Sequence, residues 1–216
     1  TWRFHQSAGI QRGQRPDTCS ADQSPLSPLA ETVNTPSRRE LFLNALSERI
    51  LVIDGAMGTE IQAHAPSADD FHGKRFADHT HPLQGCNDLL TLTCPDLVAG
   101  IHRDYLQAGA EILETNTFNA TSVSMADYGL ENLVYELNKA AAELAHSAVV
   151  AHKNPAWVAG VLGPTNRTAS LPASVEDPAS RNIDFDTLAT TYIDATRGLL
   201  DGGSDILLVE TIFDTL

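Results

Sequence analysis

The sequence predicts an α/β chain built on a parallel sheet, a TIM-type (βα)8 barrel of which only about the first four βα units are present. Three observations carry this expectation. Four short apolar runs recur along the 216 residues, helical stretches separate them, and a helix-stopping residue closes each of those stretches. Repeated βα units imply a parallel sheet, because crossover helices cover both of its faces and leave the strands as near-continuous apolar runs.

Taken in order, residues 1–38 are rich in Gln, Ser, Pro, Thr and Arg and show no period of 3.6 or 2, which predicts a disordered extension. From Arg39 the spacing of Leu41, Phe42, Ala45 and Leu46 predicts a helix capped by Ser37. The run Ile50-Leu-Val-Ile-Asp54 ends at a turn-forming Asp-Gly and reads as a first strand buried on both faces. Glu111–Thr115, Trp157–Leu162 and Asp205–Glu210 repeat that form. Helices are expected over Asp96–Gln107 with Leu97, Ile101 and Tyr105 on one face, over Glu131–His152, and over Phe185–Leu200. Gly109, Asn154-Pro155 and Gly202-Gly203 supply their stops. A faint internal repeat sets Gly109-Ala-Glu-Ile-Leu-Glu-Thr115 beside Gly203-Ser-Asp-Ile-Leu-Leu-Val-Glu-Thr211.

An open doubly wound sheet is the competing architecture. It usually carries a G-x-G-x-x-G turn after its first strand, and Asp54-Gly-Ala-Met-Gly-Thr59 lacks that spacing, which favours the barrel. A complete barrel takes about 250 residues, so residues 39–216 are expected to be the N-terminal half of one, with exposed strand edges.

Composition narrows the function. With 42% hydrophobic and 19% charged residues the chain is an ordinary globular protein. No run reaches the length of a membrane span, and the three cysteines, Cys19, Cys86 and Cys94, have no disulfide or C-x-x-C spacing, so a reducing, cytoplasmic setting is expected. The formal charge of −14 is concentrated after residue 50, where eight Lys or Arg face 23 Asp or Glu. Such a surface repels phosphate backbones, which argues against nucleic acid as a partner. G-x-S-x-G, Walker and H-E-x-x-H motifs are absent from the sequence. His72, His79 and His81 with Cys86 and Cys94 lack paired zinc-ligand spacing and read better as loop residues.

In parallel βα folds ligands bind at the carboxyl ends of the strands. Those ends here are Asp54-Gly55, Glu114-Thr-Asn-Thr117, Gly163-Pro-Thr-Asn-Arg167 and Glu210-Thr211. Asp54, Glu114 and Glu210 would face one mouth and suit an ammonium group, while the amides after Asp54 would take a carboxylate. Each feature alone is ordinary turn or cap chemistry; their coincidence at one end of the sheet points to a zwitterionic amino acid.

The segments Leu51–Ile61, Gly109–Ala120, Val158–Ser170 and Leu208–Leu216 together resemble the N-terminal homocysteine-binding domain of the cobalamin-dependent methionine synthase family. Gly163-Pro-Thr-Asn-Arg-Thr168 is the most specific of these motifs. The resemblance implies a (βα)8 barrel that binds homocysteine as a zinc thiolate and passes it a methyl group from methylcobalamin, recharged by 5-methyltetrahydrofolate on other domains of the full-length chain. It implies that Asp54 and Glu210 hold the homocysteine amino group, that Gly55 and Ala56 supply amides to its carboxylate, and that Glu114, Thr115 and Asn116 lie at the pocket. It places the three zinc-binding cysteines beyond Leu216, so no catalytic or metal-ligating residue is expected within these residues, and the fragment alone is expected to be inactive. Two other readings stay open: a cobalamin-independent homocysteine S-methyltransferase, and a non-catalytic βα fragment.

Overall fold

A computed structural model describes residues 35–214. The extension expected over residues 1–38 lies outside the described residues as far as residue 34. At its other end the boundary moves: Arg38 already belongs to the first helix, α1 (Arg38–Glu48). The expected cap is there, with the Ser37 Oγ accepting the Glu40 N–H while the Glu40 carboxylate accepts the Ser37 N–H at 2.7 Å. This capping box satisfies two donors that the first helical turn would otherwise leave free.

After the run at 50–54 come α2 (Met57–His64), α3 (Ala68–His72), α4 (Leu90–Thr93, entered through a 3-10 turn at Asn87–Leu89) and α5 (Pro95–Ala108). The strand β1 (Ile112–Glu114), the short α6 (Ser122–Met125) and the long α7 (Val134–Ala151) follow. The chain then forms β2 (Trp157–Leu162), α8 (Phe185–Asp201) and β3 (Ile206–Val209). The strands pair in parallel in the order β1-β2-β3, with Leu113 opposite Val158 and Val161 opposite Leu208. The repeat seen in the sequence has a backbone basis: Gly109 (φ 106°) and Gly203 (φ 93°) both turn the chain through the left-handed region before a strand.

The first run departs from expectation. It joins the sheet through a single bridge, Ile53 to Ile112, supported by Asp54 N–H to Ile112 O at 2.9 Å and Glu111 N–H to Val52 O at 2.8 Å. It is also not buried on both faces, since Ile50, Val52 and Ile53 are exposed. The physical reason is position. Only β1 pairs with this run among the described residues, whereas β2, which has a strand on each side and helices α7 and α8 against it, is buried throughout. The other edge strand, β3, likewise leaves Leu207 and Val209 exposed.

Helix α5 differs by a one-residue rotation. Val98, Ile101, His102 and Leu106 form its buried stripe, and Leu97 and Tyr105 sit at its margins. Helix α1 lies against the amino-terminal ends of the strands. Arg38 pairs with Asp205 ahead of β3 and donates to Ala156 O ahead of β2, Arg49 pairs with Glu111 ahead of β1, and the Phe42 ring meets Trp157 edge-on at 5.4 Å. One end of the sheet is thereby covered, and the opposite, carboxyl end is left to the loops. No helix among the described residues is long and apolar enough to cross a membrane.

Candidate functional site

At the carboxyl ends of the strands a cavity of about 320 Å³ is lined by Ala56, Met57 and Gly58, by Asn87 and Asp88, by Glu114 through Asn119, by Val161 and by Glu210. Five of the seven expected site residues are therefore brought together: Ala56, Glu114, Thr115, Asn116 and Glu210. Asp54 and Gly55 do not line it. Asp54 sits behind Glu114, nearly buried, its Oδ1 accepting the Glu114 backbone N–H at 2.9 Å.

The electrostatics follow from that crowding of carboxylates. Burial pushes the Asp54 carboxyl up to about 7, with the Glu114 charge adding to the shift against the hydrogen bond from the Glu114 amide. Glu114 is raised too, first by burial and then by the charge of Glu210. Groups that resist ionising because each faces another carboxylate and too little water are stabilised by a cation placed among them. The anion side of the cavity is the start of α2. Its N-cap residue, Ala56, makes no side-chain capping bond, and Ala56, Met57 and Gly58 face the cavity. Unspent N–H groups at a helix N-terminus suit a carboxylate.

Thr115 has a structural task besides lining the cavity. Its Oγ accepts the Val161 N–H at 2.9 Å, and the Thr117 hydroxyl donates to Val161 O at 2.8 Å, so the two side chains carry the β1–β2 pairing past the end of the strand. Asn116 donates through Nδ2 to Asn87 O at 2.8 Å. Glu210 directly follows β3, its N–H bonded to Leu162 O at 3.2 Å, and the next residue, Thr211, holds φ 53°. A β-branched residue in the left-handed region stores backbone strain of about 1 to 3 kcal/mol, here beside a cavity carboxylate.

Sequence reasoning missed Met57, Gly58, Asn87, Asp88, Thr117, Phe118, Asn119 and Val161 as lining residues. Met57 and Gly58 stood in the quoted Asp54–Thr59 turn, and the lack of a side-chain cap there was the available signal. Asn87 and Asp88 carry no local signal, because they reach the cavity only through the tertiary packing of the turn before α4.

The residues present do not fit zinc. Cys86 is buried with its Sγ 3.9 Å from the Met125 sulfur, and burial pushes its thiol up to about 12, far from the thiolate that a metal takes. Cys94 precedes α5. The His79 and His81 rings lie 5.5 Å apart, but His79 Nε2 donates to Tyr128 O at 2.7 Å. Among the described residues no three His, Cys, Asp or Glu side chains converge on one point.

Parallel βα units with a carboxylate-walled cavity at the carboxyl face define part of a (βα)8-barrel fold. Residues 51–216 match the family of homocysteine S-methyltransferases, and the chain belongs to that family. Among solved structures it is similar to the metallated form of the homocysteine methyltransferase MmuM from Escherichia coli, with a TM-score of 0.59 and 25% identity over 82% of this chain. The oxidized form of the same protein matches with a TM-score of 0.58 and 24% identity over 78% of this chain, a likeness of fold. The chain spans 58% and 56% of those two chains.

Proposed function

We propose that this chain provides the homocysteine-binding part of a methionine synthase in which the methyl donor is methylcobalamin, recharged by 5-methyltetrahydrofolate on other domains. The observation that carries the homocysteine reading is the polarity of the 320 Å³ cavity, which joins the uncapped start of α2 to Glu114 and Glu210, with Asp54 directly behind. Glu114 and Glu210 hold the ammonium, Asp54 adds its charge through the end of β1, and the amides after Asp54 hold the carboxylate. Both ends of the substrate backbone are then fixed, and the thiol arm is the part left to reach the methyl donor. Methyl transfer forms a sulfur–carbon bond as the donor–carbon bond breaks, and the thiol proton must leave. These residues supply binding and orientation for that step, which is where an enzyme gains from holding a reactant in one geometry. No zinc-ligating role is assigned to them.

The cobalamin part of the proposal is supported by Gly163-Pro-Thr-Asn-Arg-Thr168, which resembles the cobalamin-dependent branch, and here forms the loop after β2. Calorimetric titration with L-homocysteine and with 4-mercaptobutanoate, which lacks the amino group, tests the ammonium site. Saturable binding of homocysteine with about tenfold or greater loss for the desamino analogue is expected. Equal affinity for the two would overturn it. Methyl transfer to homocysteine by the full-length protein, offered methylcobalamin or S-methylmethionine, decides the donor, and turnover with S-methylmethionine alone would favour the cobalamin-independent reading.

A further inference from the structure

The turn ahead of α4 reaches the cavity at one buried charge. Asp88 is 2% exposed, and its Oδ1 accepts the backbone N–H of Asn119 at 2.8 Å across 31 residues of chain. One residue earlier, Asn87 O accepts from the Asn116 side chain at 2.8 Å. These two bonds hold the start and the end of the same short loop, residues 115–119, which supplies Thr115, Asn116, Thr117, Phe118 and Asn119 to the cavity.

A second cavity of about 180 Å³ lies on the other side. It is lined by Cys86, Ser124, Asp127, Tyr128 and Asn166 together with Asp88 and Asn119, which are the two residues common to both spaces. The Asp88–Asn119 pair is therefore the partition between them. The loop is clamped from the β2 side as well, since a Cβ at Gly163 would lie 2.2 Å from Phe118 O. A segment pinned at both ends and pressed by a strand end has one arrangement available. Remove the acceptor at Asp88 and the Asn119 N–H is left buried without a partner, with a neighbouring void into which the loop can move.

We propose that Asp88 is a positioning residue for the ligand: acting through the Asn119 amide, it fixes the loop after β1 as a wall of the homocysteine cavity. The inference rests on the homocysteine reading above. The role asks for an acceptor, and the geometry supplies one in Asp88 Oδ1; burial pushes the same carboxyl up to about 6 against the hydrogen bonds from Asn119 that draw it down. An amide at this position keeps the acceptor; an alkyl group does not.

The test compares Asp88→Asn with Asp88→Ala in two measurements. In ligand-free protein, amide exchange at Asn119 followed by NMR should quicken by about tenfold or more in Asp88→Ala and stay close to wild type in Asp88→Asn, as expected for loss or retention of one buried hydrogen bond. In homocysteine titrations, Asp88→Ala should bind about tenfold more weakly, and Asp88→Asn should return to within about threefold of wild type. Should Asp88→Ala fail to fold, Asp88→Leu fills the space without an acceptor and takes its place. Tight binding by the alkyl variant overturns the proposal. Weak binding by Asp88→Asn overturns it too, since it would make the charge the functional element. Wild-type protein that takes up no homocysteine overturns the reading of the cavity instead, and amide exchange then decides alone whether Asp88 holds the loop.

Discussion

Asp54 and Glu114 are tied head to strand end: the Asp54 Oδ1 accepts the Glu114 amide at 2.9 Å, which places one buried carboxylate directly behind a second that faces the cavity. The arrangement costs stability when both are ionised. In the folded chain Asp54 titrates near 7 and in the unfolded chain near 3.8, so between those values the folded state holds the extra proton. Stability contributed by this group is present at low pH and is lost as the pH rises through that window.

Asp54→Asn keeps the acceptor for the Glu114 amide and removes the titration. Urea unfolding should show the variant more stable than wild type at about pH 8, with the difference shrinking towards about pH 5. A difference that stays constant across the range would mean that Asp54 is not the group responsible.

The same carboxylates make ligand binding a proton-release event. A homocysteine ammonium favours the ionised form of Asp54 and Glu114, so at about pH 6.5, where free Asp54 is partly protonated, binding should expel protons. Calorimetry in two buffers of different ionisation enthalpy measures this directly, and affinity should rise from about pH 5.5 to 7.5. Glu210→Ala should weaken homocysteine binding by roughly 1.5 to 3 kcal/mol, the usual worth of a hydrogen bond to a charged group, and Asp54→Ala, which removes a carboxylate one layer behind the cavity wall, should weaken it by less. Unchanged affinity in both would remove the ammonium site from this end of the sheet.

Much of this was readable along the chain because it is local. Ser37 and Glu40 are three residues apart, Gly109 and Gly203 mark their own turns, and β2 and β3 end where their apolar runs end. Glu114 and Glu210 could be assigned to one mouth because parallel strands end on the same side, whereas Asp54, expected beside them, stands behind Glu114. What could not be read is whatever depends on packing between distant segments. The Asn87–Asp88 turn has no periodicity, and its partners lie 29 and 31 positions away. The one-residue rotation of α5 has the same origin: Leu97, Ile101 and Tyr105 are a valid helical stripe, but the buried stripe turns on what α5 packs against, and Tyr105 ends at a margin near Gly55.

Gly163 should not accept a side chain. An added Cβ would sit 2.2 Å from Phe118 O and 3.1 Å from the Phe118 ring, so Gly163→Ala forces the loop after β1 away from β2. Overpacking of this kind typically costs about 1 to 3 kcal/mol. The midpoint of urea unfolding should fall accordingly, and homocysteine affinity should fall with it because Phe118 lines the cavity. Full retention of both would show that Phe118 moves freely and that the loop is not clamped from this side.

The far end of the sheet offers a test of α1 as its cover. Arg38 and Asp205 form one ion pair at 2.5 Å, yet the two residues are not equivalent. The Arg38 side chain is 47% exposed, and an ion pair of that exposure is worth about 0 to 1 kcal/mol. Asp205 is 11% exposed and also accepts the Val158 N–H at 2.9 Å, at the start of β2. Removing Asp205 strands a backbone N–H in the buried strand, at about 1 to 3 kcal/mol, while removing Arg38 takes one donor from the part-buried Ala156 carbonyl, the smaller loss. Asp205→Ala should therefore destabilise the chain clearly more than Arg38→Ala, as read by the midpoints of urea unfolding, and the double variant should cost little beyond Asp205→Ala alone. Equal effects of the two single variants would place the energy in the ion pair itself and not in the capping of β2.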